Sequence, residues 1–233
     1  MTLAQVKVAD KSNEITAMPV LIDMLDLAGA LVTVDAMGCQ TNIAEKIKLA
    51  GADYVLALKQ NQPTLWDDTV CSFEVLPACG SVKTTETGHG RVEERTYTFC
   101  EDLSCLLNPG DWAKIAMLVK VDALITDKKT GESTESTRYY ITSSRDMKRV
   151  AGGIRSHWGV ESMHWILDVV FGEDLSTKRS RNSAENFNII RKIAANVLRN
   201  DGVDHGKKRV SLKRRMLKAS FEEQYLELLI SLL

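Results

Sequence analysis

No apolar run in this sequence approaches the ~20 residues that a membrane-spanning helix requires, and no charged-then-apolar leader opens it. The five cysteines (Cys39, Cys71, Cys79, Cys100 and Cys105) are odd in number and include no CxxC pair. Their seven- and four-residue gaps match no common zinc-ligand spacing. Reduced thiols in a soluble, cytoplasmic protein are therefore the expectation. Internal repeats, low-complexity runs and Gly/Ser linkers are also lacking, which excludes solenoids and beads-on-a-string architectures.

What is present is ordinary globular composition, with 44% hydrophobic and 26% charged residues over 233 positions. That length suits one domain with a large insertion, or two small ones. The net charge of -1 conceals a segregation: from Lys178 to Lys218 there are 13 Lys or Arg against 3 Asp or Glu. A basic tail on an acidic body suggests a segment that meets a polyanion, although such a run is as readily a solvated face.

The stretch from His157 to Phe171 carries the densest chemistry. As one helix stepping about 100° per residue it would place His157, Glu161, His164 and Asp168 within an arc of roughly 60°. Trp158 and Trp165 would flank that strip, and Val160, Met163, Ile166, Leu167 and Val169 would fill much of the remaining circumference. Such a helix should be buried with its ionisable groups turned into a shared cavity, where two carboxylates need a cationic partner. A satisfied polar network in a core helix is the bland alternative.

Along the chain, Leu3 to Val8 reads as a short strand. Lys11-Ser12-Asn13-Glu14 caps a helix that runs towards Gly29. Ala30 to Asp35 forms a buried strand, Asn42 to Ala50 an amphipathic helix, and Tyr54 to Leu58 a second strand, together a βαβ unit. Asp35 and Lys59 then stand at the carboxyl ends of neighbouring parallel strands, where open α/β sheets place their ligands. For Asp35 the plain alternative is a turn or helix cap. Val82 to Thr87, Arg91 to Cys100, Trp112 to Thr126 and Ser136 to Ser143 alternate as strands, and residues 116–121 and 138–142 form the clearest hairpin. Ser144 or Asp146 caps a helix that Gly152-Gly153 interrupts. Ala184 to Arg199 is an amphipathic helix with Phe187, Ile190, Ile193, Ala194 and Val197 on one side, and a Leu-rich helix from Phe221 closes the chain.

Two groups of motifs resemble a known family. The first joins Lys11 to Ile15, Val32-Thr33-Val34-Asp35-Ala36-Met37-Gly38-Cys39-Gln40 and Gly51 to Gln62. The second is His157-Trp158-Gly159-Val160-Glu161, with His164 to Val169 and Phe171-Gly172-Glu173-Asp174. Together they closely resemble the bacterial H-repeat-associated insertion-sequence transposases, which carry a DDE catalytic domain. The resemblance implies an α/β fold, an RNase H-like mixed sheet flanked by helices, with a β-rich insertion between the second Asp and the Glu. It divides the chain into an RNase H-like core (1–65 and 144–200), the insertion (80–143) and a basic helical C-terminal region (178–233).

By the same resemblance Asp35 matches the second Asp and Glu161 the closing Glu, and these residues hold Mg²⁺ or Mn²⁺ for cutting and joining DNA. The family's first Asp lies upstream of the position matching Leu3, so the chain is expected to be N-terminally truncated and impaired in catalysis. Asp10 sits in a loop without the approach that a substitute ligand would need. Lys59, His157, Lys178, Arg179 and Arg181 are candidate DNA contacts, and Asp168 a partner that orients His164. A homo-oligomer and association with the nucleoid follow as expectations. Two rivals stand beside this reading. One is a DNA-binding remnant that modulates an intact transposase. The other is a zinc hydrolase built on His157, Glu161, His164 and Asp168, whose ~16 Å spread along a helix is too great for one ion.

Overall fold

Alternation along the strands builds the sheet. Tyr54, Leu56 and Leu58 bury themselves on one face of their strand and Val55 on the other, as a period of two requires when both faces are covered. The computed structural model describes residues 1–6, 14–88, 90–177, 182–203 and 210–233, and at Glu14 and Glu161 the backbone alone. The chain folds as two units, one of Val6–Trp158 and one of Met1–Gln5 with Gly159–Leu233.

The first unit holds helix α1 (Glu14–Asp23), strand β1 (Leu31–Val34), α2 (Thr41–Leu49), β2 (Asp53–Leu58) and α3 (Pro63–Val75). These precede strands β3 (Gly80–Gly88), β4 (Arg91–Cys100), β5 (Met117–Asp127) and β6 (Ser133–Thr142), and then α4 (Met147–His157). The six strands form one mixed sheet in the order β1-β2-β6-β5-β4-β3. Strand β1 runs parallel to β2 and every other neighbouring pair is antiparallel. Residues 80–142 are thus continuous with the parallel pair, because Val55 to Leu58 of β2 pair with Thr142 to Tyr139 of β6.

One face of the sheet packs on α2, through Ile43, Ala44 and Ile47, and on Leu65 of α3; the other packs on Val150, Ala151 and Ile154 of α4. Helix α2 ends where Gly51 takes φ +75, a left-handed value that favours glycine. Its last-turn Lys46 and Lys48 pair with Asp23 and Asp53. The β5–β6 turn is set by Asp127, whose carboxylate accepts the backbone N–H groups of Lys129 and Thr130.

Two sequence expectations change in this unit. Gly152-Gly153 does not interrupt a helix, since α4 runs unbroken from its Asp146 cap. A Cβ on Gly153 would lie 2.7 Å from Leu31 Cδ2, so that glycine permits close approach of α4 to β1. The strand expected from Trp112 begins only at Met117: Pro109–Asp111 is a 3-10 turn and Lys114 takes φ 53.

The second unit is helical: α5 (Gly159–Trp165), a π-helical turn (Ile166–Val170), α6 (Ser183–Arg199), α7 (Leu212–Phe221) and α8 (Glu223–Ile230). Met163 and Leu167 pack on Ala195, and Leu198 packs with Tyr225 and Leu229. Leu3 to Val6 form no strand. Instead the Asn196 side chain accepts from the Thr2 N–H at 2.8 Å and donates to the Thr2 carbonyl at 2.6 Å, tying the segment to α6. The expected apolar side of α6 is largely open, with Ile190 57% exposed, while Ala195 and Leu198 are buried. The Leu-rich closing helix, expected from Phe221, begins at Glu223 as α8, and Glu222 lies extended between it and α7.

Candidate active site

The single helix expected over 157–171 is three pieces. Helix α4 ends at His157, Trp158 caps it, α5 follows, and a π turn begins at Ile166. A π turn closes its hydrogen bonds one residue later than an α turn, so the angular step changes and the expected polar strip loses its phase. Trp165 is 59% exposed and His164 is exposed, whereas Met163 and Leu167 form the buried face. No hydrogen bond joins His164 to the half-buried Asp168. His157 belongs to the first unit, and Glu161, His164 and Asp168 to the second.

Asp35 lies immediately after β1. Leu31, which packs against the α4-side core, and Thr33 precede it at intervals of two, and residues two apart share a face of a strand. On that face Leu31 meets the position of Gly153, and Thr33 meets His157 one helical turn further along α4. Thr33 Oγ1 is 3.0 Å from His157 Nδ1, and His157 Nε2 is 3.3 Å from Asp35 Oδ1. The pair of contacts fits the neutral Nε2–H tautomer, in which the ring donates to the carboxylate and accepts from the threonine hydroxyl. Both ring nitrogens of His157 are engaged.

Asp35 opens a 3-10 turn over Ala36–Gly38 but makes no side-chain cap bond, so the plain capping role is not the one it plays. Its side chain is 77% exposed. The turn doubles back so closely that a Cβ on Gly38 would lie 2.4 Å from Val34 Cγ1, which leaves glycine as the residue that fits.

The far side of α4 is anchored by charge. Arg155 Nε lies 2.8 Å from each carboxylate oxygen of Glu86 on β3, and Arg95 of β4 approaches Glu86 and pairs with Glu93. The Arg155 hydrogen bond holds the Glu86 carboxyl below the ordinary carboxylate range, against a smaller opposing effect of burial. Arg138 of β6 stacks 4.3 Å above the Trp158 ring. These clamps fix the end of α4 that bears His157. Neither Thr33 nor Glu86 was singled out from the sequence; Thr33 was legible as the residue two before Asp35, whereas Glu86 reaches Arg155 only through the sheet.

The loops after β1 and β2 form an open cleft of about 720 Å³, lined by residues including Met37, Gln40, Lys59, Gln60, Asn61 and Trp66 but not by Asp35. Two amides staple its walls: Asn61 Nδ2 donates to the Ala36 carbonyl at 2.7 Å and Gln62 Nε2 to the Cys39 carbonyl at 2.8 Å. Trp66 is held edge-on against Tyr139, ring centroids 5.1 Å apart. The Cys39 thiol behind the cleft is pushed up to about 12 by burial and is inert. Lys178, Arg179, Arg181 and Asp10 lie outside the described residues.

An exposed carboxylate is the hard oxygen donor that Mg²⁺ or Mn²⁺ takes, so Asp35 suits the role of a single ligand. Among the described residues no three His, Cys, Asp or Glu side chains converge as a metal site, and none of the cysteines forms a disulfide. No helix of the described residues is long and apolar enough to cross a membrane.

Comparison with known proteins agrees with the sequence motifs. Residues 1–197 match the family described as Transposase DDE domain. The "H repeat-associated putative transposase YhhI" of Escherichia coli K12 is 40% identical over 97% of this chain and 61% of its own length, and "Putative protein YbfL" of the same strain shows the same figures. "Putative transposase YncI" of Escherichia coli O157:H7 is 41% identical over 91% of the chain and 58% of its own length. The chain thus spans about three fifths of these curated relatives. Because the family match extends from the first residue past the strand-end Asp35, the whole sheet and most of α6, the chain belongs to the transposase DDE-domain family.

Proposed function

We propose that the chain serves DNA transposition of an insertion sequence by metal-dependent phosphodiester cleavage and strand transfer, with Asp35 and Glu161 as its metal-holding, catalytic carboxylates. The observation that carries this reading is the state of Asp35: exposed, unspent on capping, and held through one oxygen by His157. A pair of Mg²⁺ or Mn²⁺ ions supplies the charge that clamps the attacking and leaving oxygens of an in-line displacement. Asp35 offers Oδ2 to such an ion, and His157 orients the carboxylate through Oδ1 while Thr33 orients the imidazole. Lys59, His157, Lys178, Arg179 and Arg181 contact DNA, the basic side chains through its phosphates. Residues 1–65 and 144–200 act as the RNase H-like core, 80–143 as its insertion and 178–233 as the basic region. The setting is the bacterial cytoplasm, at the nucleoid, in a homo-oligomer.

The excess of Lys and Arg from Lys178 to Lys218 supports a second reading, a chain that binds DNA and modulates an intact transposase through mixed oligomers without cutting. Calorimetric titration with Mn²⁺ and nicking of supercoiled plasmid separate the two. Mn²⁺ binding and Mn²⁺-dependent nicking, both lost in Asp35→Asn, are expected of the first reading, and duplex binding without nicking of the second. Robust metal-dependent nicking abolished by Glu161→Gln would show that the chain is a working nuclease and end the second reading. Duplex binding should weaken roughly tenfold or more between 50 and 200 mM salt; an affinity indifferent to salt removes the phosphate assignments.

A further inference from the structure

We infer that Cys71 and Cys105 are a thiol pair that an oxidant of the hydrogen peroxide class closes into a disulfide, latching the loop of residues 101–108 onto helix α3. The inference is independent of the DNA reading. Both thiols are free, Cys71 exposed and Cys105 half-buried, and their side chains are hydrogen-bonded to each other. Approach of the two sulfurs is the first requirement for bridging them. The surrounding structure holds them there. Asp68 and Cys71 stand one turn apart on α3, at the i, i+3 spacing that shares a helix face. The Asp68 carboxylate accepts the Leu107 N–H at 2.8 Å, two residues beyond Cys105. On one side of Cys105 the Ser104 N–H donates to Asp102 at 2.9 Å, and on the other Leu106 is buried in the core, with Leu103 packed against the same cluster. The loop can therefore be joined to the helix without first being ordered.

The other three cysteines are engaged or shut away. Cys79 directs its S–H at the Phe99 carbonyl, 3.3 Å away, and Cys100 at the Asp102 carbonyl, 3.4 Å away. Cys39 is the buried, inert thiol behind the cleft. Cys71 instead opens to solvent with a second thiol against it, the arrangement of a peroxide-reactive cysteine and its resolving partner. Desolvation against the protein, then the neighbouring Cys105, holds the Cys71 thiol above its ordinary range. Thiolate is therefore scarce at neutral pH, and the reaction quickens as pH rises. In the first step the Cys71 thiolate attacks one peroxide oxygen, the O–O bond breaks, and the departing hydroxide takes up the thiol proton as water, leaving a sulfenic acid. In the second the Cys105 sulfur attacks that sulfur, the S–S bond forms as the S–O bond breaks, and the hydroxyl leaves with the Cys105 proton as water. The sulfurs together lose two electrons and the peroxide oxygens gain them. A thiol reductant reverses the bond.

The test treats the whole purified chain with hydrogen peroxide, alkylates the remaining thiols in urea and maps the peptides by mass spectrometry. The parent should keep three of its five thiols, with one cross-linked peptide pair that joins Cys71 to Cys105 and that dithiothreitol separates. Its urea midpoint should rise on oxidation, because the bond restricts the unfolded chain. Cys71→Ser, at an exposed position, should show neither the link nor the rise. Cys105→Ser should instead stop at the sulfenic acid, which dimedone labels on Cys71. A link from Cys71 to Cys79, or cross-linking between chains, overturns the pair. So do five intact thiols after an exposure that converts free cysteine to cystine in a parallel sample. A Cys71–Cys105 link that leaves the midpoint where it was overturns the latch.

Discussion

Two aspartates show how differently this chain uses one side chain. Asp201, in the helical unit, is 5% exposed, and its donors include the Tyr225 hydroxyl, the Arg215 guanidinium at 3.2 Å and the Val203 N–H at 3.2 Å. Asp35 is 77% exposed and has His157 on one oxygen. A buried carboxylate must be saturated with donors, because each unpaired lone pair in a low-dielectric interior is costly. A carboxylate that is to hold a hydrated cation needs the reverse, an oxygen left open and a partner that orients without neutralising. Tyr225 bears the mark of the first arrangement: burial, then its bond to Asp201, push its phenol up to about 12.

The sharpest way to break the comparison is to truncate both residues. Asp201→Ala leaves the Arg215 charge and the Tyr225 hydroxyl facing a hole, and removal of one partner from a buried pair costs about 3 kcal/mol or more. Asp35→Asn alters an exposed group and should change stability by less than about 0.5 kcal/mol. Urea unfolding of the two variants measures the difference; similar losses would mean that Asp35 is a structural residue and the functional reading of it is mistaken.

A smaller effect is expected at Glu86, which belongs to neither extreme. Its side chain is 39% exposed, so solvent screens its bidentate contact with Arg155, and Glu86→Gln should cost no more than about 1 kcal/mol. The folded carboxyl titrates below its unfolded value of 4.5. Its contribution is therefore complete above that value and is lost as pH falls through the lower, folded one. An acid-unfolding profile of Glu86→Gln should be fully separated from that of the parent chain above pH 4.5 and converge on it as pH falls from there through the lower, folded value. Separation confined to the alkaline limb would mean that the Arg155 contact is not what stabilises this corner.

Most of the sheet was legible because a strand's pattern is local. Arg91 to Cys100 forms a strand with the boundaries that the alternation gave, and residues 116–121 pair with 138–142 as expected. The position of Asp35 at a strand tip followed from the βαβ pattern alone. What failed was information carried between elements. Gly153 reads as a helix breaker until Leu31 is seen lying against it, and the polar arc of residues 157–168 presumed an unbroken 100° step that the Trp158 cap and the π turn at Ile166 do not keep. The face of α6 was misjudged for a related reason: periodicity finds an apolar side, but only the neighbouring Met163, Leu167 and Tyr225 decide which residues are covered.

The subtlest member of the site is Thr33, where the comparison with Asp201 can be sharpened most. Its hydroxyl contributes a single half-buried contact to the imidazole, so Thr33→Val, close to isosteric, should shift stability by less than about 1 kcal/mol. The consequence lies in the ring. Without a donor at Nδ1, His157 keeps only the Asp35 contact to favour the Nε2–H tautomer, and the preference weakens. Nitrogen-15 NMR of the imidazole should show a larger Nδ1–H population in the variant, and Mn²⁺ affinity should fall by less than about tenfold, the lower end of what loss of an orienting partner does to a metal site. Rescue by Thr33→Ser, which restores the hydroxyl, distinguishes orientation from packing. If the tautomer ratio is the same in all three proteins, the threonine is only a strand residue and His157 is oriented by α4 and Asp35 without it.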